Sequence, residues 1–109
     1  MEAKINLPEK IIQRQILGYL KPICKAVGKT KTTGLYDRGK KCYRSDPFIF
    51  WGFPDLCGFD REGKIFFCEV KSAKGRQSEY QIAFQNLCLS SGIRYILARS
   101  VEDVMAVIK

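Results

Sequence analysis

The sequence predicts an α/β fold with a mixed central sheet flanked by helices. Three observations predict it. Apolar residues recur at helical spacing over residues 8–20 and again after Ser78. Residues 56–71 read as a β-hairpin, with a β-rich half, IFFCEVK, after a turn at Asp60-Arg61-Glu62-Gly63. A further apolar strand, residues 95–98, lies between the second helix and a last one. The order α, β, β-hairpin, α, β, α gives a sheet that buries its faces under helices. With 109 residues and no visible repeat or linker, a single domain over 1–109 is expected.

Each element has its own signal. In the first helix Ile12, Ile16 and Leu20 recur at i+4, widened by Ile11 and Tyr19. Pro8 suits the helix start and Pro22 stops it. Residues 23–27 read as a strand. Phe48, Ile49, Phe50, Trp51 and Phe53 form a dense apolar block. It reads either as a core-facing strand that fixes the residues after it or as a subunit interface, because so many large side chains are hard to bury on one face. In the hairpin, Gly63 supplies a residue free to take positive φ. Ser78 and Gln81 have capping-box spacing and open the second helix, with Tyr80, Ala83, Phe84, Leu87 and Cys88 on one face and Gly92 closing it. Ser100 and Asp103 open the last helix, with Val101, Val104, Met105 and Ile108 packing.

Composition excludes several classes of function. No apolar run approaches the ~20 residues of a membrane span, and the start, MEAKINLPEK, has no signal-peptide pattern. There are five cysteines, none in a C-x-x-C pair, and no histidine, which argues against a Cys/His zinc site and excludes Ser-His or Cys-His nucleophiles. Unpaired thiols in apolar patterns fit a reducing cytoplasm. The net charge of +8 suits a polyanionic partner. It concentrates in residues 21–50, where eight Lys or Arg stand against two Asp. Lys29, Lys31, Arg38, Lys40, Lys41 and Arg44 read as phosphate contacts, and Tyr36 and Tyr43 as bases' stacking partners. A solvated loop is the plainer reading of the same stretch.

The chemistry centres on Pro54-Asp55 and Glu69-Val70-Lys71. Alternate residues of a strand share a face, so Glu69 and Lys71 point one way and Val70 the other. The hairpin returns Asp55 to the neighbourhood of Glu69. Two carboxylates beside one lysine suit a hard divalent cation and a water. A surface cross-strand ion pair is the alternative, and the apolar lead-in IFFC makes a surface position a poor fit.

These residues resemble the PD-(D/E)XK nuclease signature and, more narrowly, the virus-type replication-repair nuclease (VRR-NUC) domain. The match comprises Gly52, Pro54 and Asp55, the hairpin, Glu69-Val70-Lys71, the basic loop with Lys74-Gly75-Arg76, and Ser78 and Gln81. The resemblance implies a restriction-endonuclease-like core and a DNA endonuclease that needs Mg²⁺ or Mn²⁺. It implies Asp55, Glu69 and the Val70 carbonyl as metal ligands and Lys71 as the residue that orients the attacking water. Two carboxylates favour the charged lysine, so orientation and charge stabilisation suit Lys71 better than proton abstraction. It assigns Gln81 to the active site, where the residues themselves suggest only a cap partner, and Glu9 to the metal site, where they suggest only a charge at a helix start. Lys74 and Arg76 become DNA contacts. Stand-alone members, of phage and bacterial type, act as homodimers on Holliday junctions, whereas the version inside the Fanconi-associated nuclease is monomeric. The expectation is therefore a homodimer on branched DNA in a bacterial or phage-infected host cytoplasm, with no membrane and no small-molecule cofactor. The alternatives are a monomeric flap- or end-trimming nuclease and a non-catalytic DNA-binding module.

Overall fold

The computed structural model describes residues 6–30, 35–37, 42–44 and 50–109. The order of elements is α1 (Glu9–Leu20), β1 (Ala26–Lys29), β2 (Leu35–Asp37), β3 (Cys42–Arg44), β4 (Leu56–Phe59), β5 (Ile65–Val70), α2 (Glu79–Ser90), β6 (Arg94–Ala98) and α3 (Val101–Met105). Strands β1, β4, β5 and β6 form one mixed sheet in the order β1-β4-β5-β6, and β2 pairs with β3 in a separate antiparallel ribbon. Neighbours are antiparallel from β1 to β5, and β5 and β6 run parallel. A parallel pair needs a crossover, which α2 provides. The expected α/β architecture with a mixed sheet and flanking helices is therefore the observed one.

Two apolar clusters sit on opposite faces of the sheet. The larger joins Ile12, Ile16 and Leu20 of α1 and Val104 of α3 to Leu56, Phe66, Cys68 and Val70. The smaller joins Phe67 to Phe84 and Cys88 of α2, with Phe53, Cys57 and Tyr95 against them. Strand β5 feeds both, which is why Phe66 to Val70 are all buried. Burying side chains such as Ile16, Leu20 and Leu56 completely stabilises the fold by roughly 1.5–3 kcal/mol each.

The hairpin turn closes around Asp60. Its Oδ1 accepts the Glu62 and Lys64 amides, both at 2.9 Å, and its Oδ2 accepts Arg94 Nη2 at 2.5 Å. The Lys64 amide, then Arg94, hold this carboxyl below its ordinary range. Gly63 takes φ 83°, as the turn requires.

Three expectations need correction. The strand expected at residues 23–27 begins only at Ala26, because the Ile23 and Cys24 amides still bond Leu20 O and extend the end of α1. On α2 only Phe84 and Cys88 are buried, while Tyr80, Ala83 and Leu87 are exposed, as is Met105 at the end of α3. The apolar cluster under α2 holds one buried sheet residue, Phe67, with Phe53, Cys57, Ile93 and Tyr95 partly buried against it, too narrow for a five-residue stripe. Last, Phe50 to Phe53 form a turn rather than a strand, with the Phe53 amide on Phe50 O at 3.2 Å. Phe50 and Trp51 are more than half exposed, and Phe50 and Phe53 pack edgewise on Phe84. Phe48 and Ile49 lie outside the described residues.

Gly52 lets that turn dock on α2. It takes φ 81°, and a Cβ there would stand 2.3 Å from Tyr80 O and 2.7 Å from the Gln81 amide. Gly52→Ala combines left-handed strain with a backbone clash and lowers the unfolding midpoint by on the order of 10 °C. Gly18→Ala, in the open middle of α1 with nothing within 4 Å, is neutral or stabilising by up to ~1 kcal/mol. Equal midpoints for the two variants in a thermal melt contradict this packing.

Candidate active site

The register of the hairpin builds the site. Leu56 pairs with Cys68 across β4 and β5, so the next step outward sets Asp55 opposite Glu69. Glu69 lies on the same face of β5 as Phe67, toward α2, while Val70 points into the larger core at 1% exposure. Asp55 is held at both ends. The Val70 amide donates to Asp55 Oδ2 at 2.9 Å, and the Thr30 amide donates to Asp55 O at 2.9 Å. The Thr30 hydroxyl donates to Pro54 O. Thr30 thus anchors the Pro-Asp segment from the end of β1, and nothing in its polar surroundings signalled this from sequence.

Glu69 is the buried charged group of the described residues, at 2% exposure. Its Oε1 accepts Gln81 Nε2 at 2.9 Å and lies 3.8 Å from Lys71 Nζ. Its Oε2 is buried with no hydrogen-bond partner among the described residues. A buried, unpartnered carboxylate oxygen is costly. Burial, then the Asp55 charge beside it, push the Glu69 carboxyl up to about 8, against a smaller opposing pull from Lys71. Two ionised carboxylates cannot bond each other, so either a proton or a cation must satisfy this pair.

Gln81 both caps α2 and donates to Glu69. Its Oε1 accepts the Ser78 amide at 2.8 Å while Ser78 Oγ accepts the Gln81 amide at 3.2 Å, a complete capping box. Because the amide oxygen is committed to the cap, Nε2 is the end that faces Glu69. The cap is therefore what aims the side chain into the site.

Lys71 leaves β5 beside β6, its amide on Ala98 O at 2.9 Å. Glu9 comes near without joining the carboxylate pair. Its Oε1 and Lys71 Cδ crowd the same spot, 3.3 and 3.4 Å from where a Cβ on Gly75 would be. Among the described residues no three Asp, Glu, Cys or His side chains cluster as a metal-binding group. The side chains thus offer two carboxylates, with the Val70 carbonyl next along the strand and Glu9 at the rim. Lys74 and Arg76 are exposed on the loop after Lys71, and Lys29 is exposed at the end of β1. Lys31, Arg38, Lys40 and Lys41 lie outside the described residues, and of Tyr36, Tyr43 and Arg44 only the backbone, in β2 and β3, is described.

The VRR-NUC domain family matches residues 49–102, from the Phe-Trp turn through the start of α3. The chain belongs to the VRR-NUC family. Its function is accordingly of nuclease type, with DNA as the substrate class. The matched span contains Asp55, Glu69, Val70, Lys71 and Gln81 and stops short of Glu9. No curated protein and no solved structure matches the chain. No helix of the described residues is long and apolar enough to cross a membrane.

The orphaned Glu69 oxygen fits a cation, and its titration gives a test without DNA. In the fold Glu69 keeps a proton that the unfolded chain releases near its ordinary 4.5. Between about 4.5 and 8 the folded state therefore binds the extra proton, and this group makes stability fall as pH rises through that window. In chelator, Glu69→Gln unfolds at a higher temperature than the unsubstituted protein at pH 8, by an amount worth on the order of a few kcal/mol, and the gap closes toward pH 4.5. Melting curves with the same gap at both pH values contradict the assignment.

Proposed function

We propose that this VRR-NUC domain is a divalent-cation-dependent, structure-specific DNA endonuclease that resolves four-way junctions as a homodimer. The observation that carries the catalytic part is the pairing of half-buried Asp55 with buried Glu69, whose Oε2 has no partner among the described residues. Asp55, Glu69 and the Val70 carbonyl would hold Mg²⁺ or Mn²⁺, an all-oxygen set suited to a hard cation. When bound, that ion supplies Lewis acidity toward the phosphate and charge for the leaving oxygen.

The protein's own groups supply the rest. Gln81 holds Glu69 in one orientation, so the carboxylate does not reorganise as charge develops. Lys71, tied by its amide to β6 and by its ammonium to Glu69, orients the attacking water and stabilises negative charge on the phosphate. Lys74, Arg76 and Lys29 bind the backbone of the substrate through phosphates, fixing position rather than sequence. Glu9, at the rim, assists through an intervening water.

Support for the dimer comes from the apolar surface around the site. Trp51 and Tyr80, 58% and 61% exposed, stack with ring centroids 5.9 Å apart. Leu87, two turns further along α2, is 54% exposed on the same side. An exposed apolar patch of this kind suits a subunit interface, and a four-way junction offers two strands related by approximate two-fold symmetry.

Asp55→Asn and Glu69→Gln keep shape and remove ligand charge. Each should lower cleavage at least ~100-fold in Mg²⁺ while DNA affinity stays within about threefold. Retained turnover in either variant removes the metal-site assignment, and rapid cleavage in Ca²⁺ or chelator removes the mechanism.

Light scattering at micromolar protein should give about twice the chain mass, with paired incisions on opposed strands of a four-way junction. A monomer that trims flaps or ends and leaves junctions whole favours the flap-nuclease reading instead. DNA binding without any cleavage favours a non-catalytic module.

A further inference from the structure

Beside the carboxylates, on the next strand, a second arrangement has no part in the roles above. Strands β5 and β6 are parallel, so their C-terminal ends finish side by side, Val70 opposite Ala98. Arg99, the residue after β6, therefore stands next to Lys71. Its guanidinium does not extend toward solvent. Nη1 donates to Ser72 O at 2.6 Å, to Gly75 O at 2.7 Å and, more weakly, to Ala73 O at 3.4 Å. Three carbonyls of one short loop thus converge on one side chain. The loop's internal support is a single turn bond, Gly75 amide to Ser72 O at 3.1 Å.

Arg99 is itself anchored. Its amide donates to Asp103 Oδ2 at 2.9 Å, and the Asp103 amide donates to Ser100 Oγ at 3.4 Å in the cap of α3. The cap fixes the arginine backbone and the arginine fixes the loop. The loop in turn bears on the candidate site, because Gly75 faces the Lys71 stem and the Glu9 carboxylate, which would lie 3.4 and 3.3 Å from a Cβ added there. An outward shift of this loop frees Lys71 and moves Lys74 and Arg76. On its other side the loop borders a cleft of about 790 Å³ between the start of α1 and the start of α3. That cleft leaves room for it to move.

We propose that Arg99 is a positioning residue. It holds residues 72–75 in one shape, and so fixes the Lys71 ammonium against Glu69 and presents Lys74 and Arg76 to the phosphate backbone. The catalytic half of this inference rests on the nuclease reading, and the loop-holding half does not. Arginine is required because Nη1 stands one bond further from the backbone than a lysine Nζ and is held by a rigid planar group, so an ammonium does not reach the same three carbonyls.

Arg99→Gln and Arg99→Lys test both halves. Without DNA, trypsin cleavage after Lys74 and Arg76 is followed by mass spectrometry and normalised to cleavage after Arg61 and Lys64 in the distant hairpin turn. Both variants should raise the ratio on the order of tenfold, since cleavage follows the open population of the segment. On DNA that the unsubstituted protein cuts, kcat should fall on the order of 10- to 100-fold in both variants, with a smaller rise in KM. If Arg99→Gln does not fold, Arg99→Lys carries the same two readouts. The inference is overturned if the trypsin ratio does not change, if the loop opens while kcat stays put, or if lysine restores both, since restoration by charge alone means that the placement of Nη1 among the three carbonyls does not matter. If the unsubstituted protein cuts no DNA, the nuclease reading fails, and the trypsin ratio alone decides whether Arg99 holds the loop.

Discussion

The site depends on a carboxylate that the fold removes from water. Glu69 sits on the central strand, covered by α2, and burial of that strand is what holds the sheet to both helical layers. A carboxylate in such a place raises the free energy of the ion, and the neighbouring Asp55 raises it again. The fold tolerates this because the apolar neighbours Phe66, Phe67, Cys68 and Val70 are buried along the same strand. Local cost at one position and gain at four others is the pattern expected where binding or catalysis, rather than stability, sets the residue.

Orientation comes from backbone and caps more than from side-chain pairs. The Val70 amide aims Asp55, Thr30 grips the Pro54-Asp55 segment, and the cap of α2 aims Gln81. The cap of α3 steadies Arg99 behind the loop that follows Lys71. Each of these groups is fixed by an element that folds for its own local reasons. A site assembled this way is largely preorganised, which lowers the cost of holding charge in place when a phosphodiester binds.

Much of this was legible in the sequence, for identifiable reasons. The period-two alternation of Glu69, Val70 and Lys71 and the turn at Asp60 to Gly63 fixed which side chains face together, and the hairpin put Asp55 beside Glu69. The Ser78 and Gln81 spacing announced the cap. What sequence alone could not show was contact between distant segments. Thr30 looked like the first residue of a polar run, and Arg99 like an ordinary charge after a strand, since neither carries a local pattern for a bond to residues more than twenty positions away. Counting apolar residues on α2 overstated its buried face for the same reason, because the width of the facing sheet is set elsewhere in the chain. The Phe48 to Phe53 block read as a core-facing strand or a subunit interface, and Phe50 to Phe53 is the part of it that the structure describes. Gly52 at positive φ turns it into a bend that docks on α2.

The claim at the centre is that the Asp55–Glu69 pair is built for a cation and stores a proton in its absence. Calorimetric titration of Mn²⁺ at pH 7, repeated in two buffers of different ionisation enthalpy, measures it most directly. Binding should release about one proton per cation, because the ion takes the place of the proton that burial holds on Glu69. Binding with no buffer dependence, or no binding at millimolar Mn²⁺, would contradict the account.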